Sequence, residues 1–160
     1  MNTIHQFSVK SIEGGTLSFS DFKGKKILLV NTASACGLTP QYEQLQELYN
    51  NFQDKVVVVG VPANEFGAQE PGSNDEIKKF CSVCYGVTFP LAAKQVVIGE
   101  EQSELFQWLT QKAKNGVMDV DIKWNFHKFV LDENGALVAN FGSFTGPLDE
   151  SVLNALEIKL

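Results

Sequence analysis

The pattern of hydrophobic and polar positions in the N-terminal part of the chain predicts one β-hairpin and two further strands. Residues 7–22 alternate apolar and polar positions around a Glu-Gly-Gly turn at 13–15, which predicts an N-terminal β-hairpin. Residues 25–33 and 55–63 are continuous apolar runs, as expected for central strands that are covered on both faces.

A helix is predicted between these two apolar runs. Apolar residues recur there at helical spacing, at Tyr42, Leu45, Leu48, Tyr49 and Phe52. Thr39 offers an N-cap side chain and Pro40 a first-turn proline. Because a helix separates the two strands, we expect the strands to pair in parallel.

The second half of the chain alternates helices with a hairpin. Ser73 or Asn74 can cap a helix over 75–86, and an irregular or extended segment follows it. Further helices are predicted over 100–116 and 149–160. Between them, a hairpin is predicted over 126–141 with its turn at Asn134-Gly135. This order predicts an α/β, thioredoxin-like fold, with a central mixed β-sheet flanked by helices and an extra N-terminal hairpin. We expect residues 1–160 to form one domain.

Composition narrows the possible partners. The chain has 160 residues, 44% of them hydrophobic, and a formal net charge of −6, which argues against nucleic acid or anionic membranes as partners. All 13 basic residues are lysine, so no arginine is present to clamp a carboxylate or phosphate. The first residues show no signal-peptide pattern, and three cysteines are an odd number for a disulfide scaffold. These features predict a cytoplasmic protein with reactive thiols.

Cys36 lies where the first apolar strand gives way to the helix. The thiolate is the reactive form of cysteine, and backbone N–H groups at the start of a helix favour that anion. Gly37 permits a tight turn and close approach by a small molecule. The alternative is an inert, buried core cysteine, which is common for this residue type.

Four separate segments together resemble the cysteine-containing form of the glutathione peroxidase family. They are NTASACGLTPQY (31–42), PANEFGAQEPG (62–72), EIKKFCSVCYGVTFP (76–90) and KWNFHKF (123–129). The resemblance implies that Cys36 is the peroxidatic cysteine and that Gln69, Trp124 and Asn125 complete a catalytic tetrad. These three side chains are neutral hydrogen-bond donors, suited to stabilise a thiolate and then the oxygen that leaves the peroxide. The expected product at sulfur is a sulfenic acid, formed without a cofactor.

Cys81 and Cys84 are three residues apart on a predicted helix and therefore on one face. A metal site is weakly supported, because it needs about four ligands and neither His5 nor His127 has fitting spacing. A thioredoxin-type dithiol is also weakly supported, since the pair lies in the last turns of the helix, where the dipole disfavours thiolates.

A resolving cysteine is the third interpretation of this pair. The resemblance implies that Cys81 resolves the sulfenic acid by forming a disulfide with Cys36, with Cys84 as runner-up, bystander or relay. We expect the two sulfurs to start too far apart for a bond, so the helix around 74–84 must open.

The reducing partner follows from the same resemblance. Family members that use glutathione hold the tripeptide with basic residues, often arginine, and this chain has no arginine. Tetrameric relatives carry a long insertion where this chain has only residues 115–123. Thioredoxin is therefore the first expectation and glutathione the second, acting on a monomer with an open site for hydrogen peroxide and lipid hydroperoxides. A peroxide sensor that oxidises a partner protein is an alternative, and a thiol–disulfide oxidoreductase based on the second cysteine pair is a distant third.

Two residues depart from the family pattern, and three other polar residues lie close to the tetrad segment in sequence. Ala63 and Glu65 occupy positions where the family usually has Cys and Gln. A carboxylate at Glu65 either disfavours the Cys36 thiolate by like-charge repulsion or faces solvent. His127 follows the tetrad segment, but on a strand its side chain points away from that of Phe126, which argues against a catalytic role. Asp119 and Asp121 lack the spacing of a calcium loop.

Overall fold

The N-terminal hairpin is present in the computed structural model, which describes residues 2–159. Strand β1 (Ser8–Lys10) pairs antiparallel with β2 (Thr16–Ser18). Short 3-10 helices that the pattern did not predict flank the hairpin, at Ile4–Gln6 and Phe19–Phe22. The hairpin prediction is confirmed, with shorter strands than the alternation indicated.

A four-stranded mixed sheet forms the centre of the molecule. Its strands are β3 (Lys26–Thr32), β4 (Val56–Pro62), β5 (Lys128–Leu131) and β6 (Leu137–Phe141), in the spatial order β4-β3-β5-β6. Strands β3 and β4 are parallel, as predicted from the helix between them, and both other pairings are antiparallel. The two fully buried strands β3 and β4 are the two continuous apolar runs.

Helices cover both faces of this sheet. They are α1 (Gln41–Phe52), α2 (Asn74–Tyr85), α3 (Glu104–Thr110), the single turn α4 (Lys112–Asn115) and α5 (Glu150–Ala155). Alternate residues of the strands enter two hydrophobic clusters. One cluster contains buried residues of α1, α2 and α5, and the other contains those of α3 and the N-terminal hairpin. The predicted thioredoxin-like arrangement of a mixed sheet between helices is confirmed.

Two predicted helices are shorter than the pattern indicated. The helix expected over 100–116 starts only after Ser103, whose hydroxyl accepts from the Phe106 N–H, and it breaks at Gln111, which has extended backbone angles. The Asp119 carboxylate accepts from the Lys112 N–H and so starts the separate turn that ends at Gly116. The helix expected over 149–160 ends at Ala155, and Leu160 lies outside the described residues.

Helix α2 begins and ends as predicted. The Ser73 hydroxyl accepts from the Glu76 N–H at 3.2 Å, and the Glu76 carboxylate accepts from the Ser73 N–H at 3.1 Å, forming a capping box. Gly86 ends the helix in the left-handed conformation (φ 59°). Residues 88–98 are irregular or extended, as expected, and isolated bridges join Leu91 to Gly60 and Ala92 to Ser11.

Candidate active site

Cys36 lies in a run of tight turns between β3 and α1. The Cys36 N–H donates to the Thr39 hydroxyl at 2.9 Å, and that hydroxyl donates to the Ala33 carbonyl at 2.8 Å. Thr39 was expected to cap α1, but no side chain caps this helix, and the N-cap position is Pro40. The prediction was wrong because the Thr39 hydroxyl is engaged in shaping the turn around Cys36.

The sulfur of Cys36 is nearly covered yet stands beside open surface. Cys36 is 8% exposed, and its chain neighbours Ala35 and Gly37 are both exposed. The Leu38 N–H points at the Cys36 Sγ at 3.3 Å. The turn itself therefore supplies the backbone donor that the sequence led us to expect from the start of a helix.

Gln69 lies next to the Cys36 segment because of a backbone contact. The Ala35 N–H donates to the Gln69 carbonyl at 3.0 Å. The preceding residues Gly67 and Ala68 both have positive φ (69° and 52°), which turns this loop toward the Cys36 segment. A sharp turn with two left-handed residues is not visible in the hydrophobic pattern, and the sequence indicated this placement only through the family resemblance.

Trp124 and Asn125 lie in a turn that is held by Asn31 of β3. The Asn31 amide nitrogen donates to the Trp124 carbonyl at 3.2 Å, and the Asn31 side-chain oxygen accepts from the His127 N–H at 2.9 Å. The Phe126 N–H donates to the Asn31 carbonyl at 2.7 Å, and Phe126 has φ 64°. Because Asn31 follows four buried apolar residues on the same strand, the tip of β3 fixes this turn.

The side chains of Gln69 and Asn125 contact each other, and the backbone of Gln69 is bonded to the segment of Cys36. The Asn125 Nδ2 donates to the Gln69 Oε1 at 3.0 Å, and Asn125 is fully buried. The indole ring of Trp124 packs against the hydrophobic cluster that contains Cys36 and against Gly67. The Asn125 Oδ1 is buried and has no hydrogen-bond partner among residues 2–159. The fold thus gathers the segments that carry these three residues and Cys36 at one end of the sheet.

Cys81 belongs to the same hydrophobic cluster as Cys36, on the same side of the sheet. It is completely buried, and burial raises the pKa of the Cys81 thiol to about 11, with the Tyr42 hydroxyl acting in the opposite direction. Burial likewise raises the pKa of Tyr42 well above its usual value. The Cys81 thiol is therefore protonated and unreactive while α2 stays folded.

Cys84 is exposed on the outer side of α2. Cys81 and Cys84 are three residues apart on α2, and residues at this spacing differ in direction by about 60°. That rotation places one thiol in the core and the other in solvent. Among residues 2–159, no three His, Cys, Asp or Glu side chains come together as they would to hold a metal ion.

The residues that depart from the family pattern make contacts in other parts of the structure. Ala63 is buried in the hydrophobic cluster on the other side of the sheet. The Glu65 carboxylate accepts from the Val97 N–H at 2.6 Å and from the Asn64 N–H at 3.2 Å, so it anchors the irregular segment. His127 is buried against Phe129, and its Nε2 lies 3.0 Å from the Asn140 Oδ1. Burial lowers the pKa of His127.

Three structurally important polar residues were missed by sequence reasoning. Asn31 interrupts an apolar strand, Glu70 is 1% exposed directly after Gln69, and Lys128 is 0% exposed at the start of β5. Burial raises the pKa of Glu70, and the Ser34 hydroxyl and backbone lower it. A polar residue inside an apolar run was the available signal for Asn31 and Lys128.

A thioredoxin-like fold with a cysteine in the turn after its central strand defines the class of thiol-based oxidoreductases. Comparison with known proteins specifies the family: residues 4–110 match glutathione peroxidase. The chain belongs to the glutathione peroxidase family, as the four segments indicated. It is a peroxidase, an oxidoreductase that acts on peroxides with thiols as the source of electrons.

Relatives from distant organisms support this assignment. The chain is 47% identical over 152 residues to the hydroperoxy fatty acid reductase gpx1 of Synechocystis sp., covering 91% of this chain and 90% of that protein. It is 42% identical over 157 residues to the glutathione peroxidase-like peroxiredoxin 2 of Saccharomyces cerevisiae, covering 96% and 97%. The crystal structure of T. cruzi GPX1 superposes with a TM-score of 0.73 at 27% identity, covering 97% of each chain.

Within residues 2–159, no helix combines the length and the apolar character needed to cross a membrane. The longest helices, α1 and α2, have 12 residues each.

Proposed function

We propose that the protein reduces hydroperoxides through Cys36, with Gln69, Trp124 and Asn125 as the surrounding donors and Cys81 as the resolving cysteine. The observation that carries the proposal is the convergence of these segments on the turn of Cys36, whose sulfur faces the Leu38 N–H. No cofactor or metal takes part in this scheme. The reducing equivalents come from thiols alone.

The first half-reaction is the attack of the Cys36 thiolate on the peroxide. A sulfur–oxygen bond forms as the O–O bond breaks, and the departing alkoxide takes up a proton: Cys36–S⁻ + ROOH + H⁺ gives Cys36–SOH + ROH. Neutral N–H donors stabilise charge at both oxygens without a competing cation. Gln69 Oε1 is already occupied by Asn125, which leaves the Gln69 amide N–H groups for the reacting oxygen.

The second half-reaction joins Cys36 to Cys81. The Cys81 thiol attacks the sulfenic acid, so that Cys36–SOH + Cys81–SH gives the disulfide and one water. Because Cys81 is buried and its pKa is raised to about 11, the attack requires α2 to open and hydrate the thiol. In the open helix, the thiol regains the properties of an ordinary cysteine. Cys84 is exposed and serves at most as a relay of the disulfide to the surface.

Thioredoxin, or a similar small dithiol protein, is the proposed reductant in the cytoplasm. A disulfide on an opened surface helix is accessible to a protein partner, and the chain has no arginine to hold the carboxylates of glutathione. The relative in yeast is described as a peroxiredoxin, and the one in Synechocystis as a reductase of hydroperoxy fatty acids. Hydrogen peroxide and lipid hydroperoxides are the proposed substrates, and glutathione is the alternative reductant.

The decisive experiment follows NADPH consumption with hydrogen peroxide or a fatty acid hydroperoxide. Electrons are supplied either by thioredoxin and its reductase or by glutathione and glutathione reductase. We expect turnover with thioredoxin in the wild type and in Cys84→Ser, and none in Cys36→Ser or Cys81→Ser. Turnover with glutathione alone would overturn the proposed reductant, and full activity of Cys36→Ser would overturn the proposed function.

A peroxide sensor is favoured by one observation, the complete burial of Cys81. A resolving thiol that waits for a helix to open lets the Cys36 sulfenic acid persist, and a partner protein can then capture it. A mixed disulfide between Cys36 and a target, accumulating in the Cys81→Ser variant and absent from the double variant Cys36→Ser/Cys81→Ser, would identify this function.

A further inference from the structure

Lys128 is the first residue of β5 and is completely buried. Lysine is almost never fully buried unless a carboxylate pairs with it. Within the described part of the chain, Lys128 forms no ion pair, and burial lowers its pKa to about 7.

Lys128 is bonded to two backbone carbonyl groups. Its Nζ donates to the Phe126 carbonyl at 2.6 Å and to the Ser143 carbonyl at 3.2 Å. Phe126 has φ 64° and follows Trp124 and Asn125 directly. A non-glycine residue in the left-handed region needs fixing by its surroundings, and Lys128 fixes this one through its carbonyl.

The Ser143 carbonyl connects this turn to the helix that follows Cys36. The Nε2 of Gln41 donates to the same carbonyl at 2.8 Å. Gln41 is the first residue of α1 and comes directly after the turns that begin at Cys36. The Ser143 carbonyl oxygen therefore links the segment of Cys36 to Lys128. Lys128 in turn links this oxygen to the turn of Trp124 and Asn125 through the Phe126 carbonyl.

We propose that Lys128 is a positioning residue for peroxide reduction, which sets the Trp124–Asn125 turn against the Cys36 segment through the Phe126 and Ser143 carbonyls. This role rests on the proposed function, because positioning matters only if Trp124 and Asn125 act on the oxygen that leaves. A displacement of about 1 Å in such a site lowers a rate by up to about 100-fold.

Lys26 provides a matched control on the same sheet. It is 7% exposed and lies at the opposite end of β3 from the site. Its Nζ forms ordinary ion pairs with Glu133 at 2.7 Å and Glu157 at 2.9 Å. Replacing Lys26 removes a nearly buried lysine from the sheet without touching the Cys36 or Trp124 segments.

The test compares Lys128→Met with Lys26→Met in a Cys81→Ser/Cys84→Ser background, where Cys36 is the single thiol. Two rate constants of Cys36 are measured, one with hydrogen peroxide and one with iodoacetamide. Only the peroxide reaction needs donors for a leaving oxygen, because iodide leaves without protonation. We expect Lys128→Met to lower the peroxide rate constant about tenfold or more and the iodoacetamide rate constant less than about twofold. Lys26→Met should leave both rate constants within about twofold.

An unchanged peroxide rate constant in Lys128→Met, or an equal loss in both reactions, would overturn the proposal. If circular dichroism shows that Lys128→Met does not fold, Gln41→Met removes the other donor to the Ser143 carbonyl. That variant should show the same selective loss at about threefold, and no loss would overturn the proposal. A parent protein that does not react with peroxide would overturn the proposed function itself, and this role with it.

Discussion

Gln69 and Asn125 hold each other in place without any charged partner. The Asn125 amide nitrogen donates to the Gln69 side-chain oxygen at 3.0 Å and to the Phe66 carbonyl at 3.4 Å. Both amides are therefore oriented before a peroxide arrives, and orienting them costs nothing during the reaction. Fixed neutral dipoles act more strongly at a buried position, and Asn125 is fully buried.

The contact between Gly67 and Trp124 yields a prediction about single residues. Gly67 has φ 69°, and a Cβ at this position would lie 2.9 Å from the Cη2 of Trp124. Gly67→Ala should therefore displace the indole ring and lower the rate constant of Cys36 with hydrogen peroxide about tenfold. Stopped-flow tryptophan fluorescence measures this rate.

Gly24→Ala is the matched control for backbone strain. Gly24 also has positive φ (89°), but a Cβ there meets no atom within 4 Å. Both substitutions should destabilise the fold by about 1 kcal/mol, and only Gly67→Ala should slow the peroxide reaction. Equal peroxide rate constants in the two variants would show that the position of the Trp124 ring does not matter.

We expect Lys128 to make the stability of the protein depend on pH. Burial lowers its pKa from 10.5 to about 7, so between these values the unfolded chain binds one proton more than the folded protein. The free energy of unfolding therefore rises with pH across this window, and the contribution of Lys128 is least favourable below about pH 7. Between pH 6.5 and 8.5, wild type should gain about 2 kcal/mol relative to Lys128→Met.

Urea unfolding of both proteins under reducing conditions measures this difference. The comparison with Lys128→Met removes the contributions of the other titrating groups, which the two proteins share. A constant difference between the two proteins over this pH range would mean that Lys128 keeps its proton in the folded state.

Among the elements, α2 is a helix of 12 residues with a defined start and end and few buried side chains. Its fully buried side chains are Ile77 and Cys81, while Ser82, Val83 and Cys84 face solvent. A helix held by few core contacts opens at a smaller cost than the central strands do. If Cys81 is the resolving cysteine as proposed, the stability of α2 sets how often its thiol becomes available.

The capping box of α2 allows the free energy of opening this helix to be changed by a single substitution. Ser73→Ala removes the acceptor of the Glu76 N–H, which should destabilise the helix by about 1 kcal/mol. If Cys81 reacts only from the open helix, the rate of Cys36–Cys81 disulfide formation should rise about fivefold. Quenched-flow alkylation after a pulse of peroxide measures this rate.

Ser103→Ala is the corresponding control, because Ser103 caps α3 by accepting from the Phe106 N–H at 3.4 Å. It should lower the thermal stability without changing the rate of disulfide formation. An unchanged rate in Ser73→Ala would mean that Cys81 reacts while α2 remains folded.

On the scale of the whole molecule, the two cysteines of the proposed disulfide share one layer. Cys36 and Cys81 lie in the hydrophobic cluster between the sheet and helices α1, α2 and α5. The other cluster, beneath α3 and the N-terminal hairpin, contains Ala63 and the side of Trp124 that faces away. In the proposed mechanism, opening of α2 disturbs only the cluster that contains Cys36 and Cys81, so oxidation need not unfold the protein.

The oligomeric state is a prediction for the molecule as a whole. The large hydrophobic side chains that are most exposed are Val83 on α2, Val138 on β6, and Val117 and Phe144 in two different loops. Scattered exposed residues of this kind are normal on a monomer. Size-exclusion chromatography with light scattering should give 17.6 kDa at all concentrations tested, and a mass near twice this value would contradict the prediction.

Much of the fold follows from local patterns. The apolar runs of β3 and β4, the Asn134-Gly135 turn and the capping of α2 at Ser73 were all predicted, because each depends on neighbouring residues alone. The helix over 100–116 failed because Gln111 adopts extended angles that no short-range signal announces. Its continuation is anchored by Asp119, seven residues further on.

The sequence by itself determined the order of elements, the family and the identity of the residues that carry sulfur and amide groups. Only the tertiary structure decided that Cys81 is buried while Cys84 is exposed, that Thr39 shapes the turn of Cys36, and that Asn31 and Lys128 hold the turn of Trp124. The physical reason is that burial and hydrogen bonding between distant segments depend on packing across the sheet. Periodicity along the chain carries no information about which polar group will meet which carbonyl.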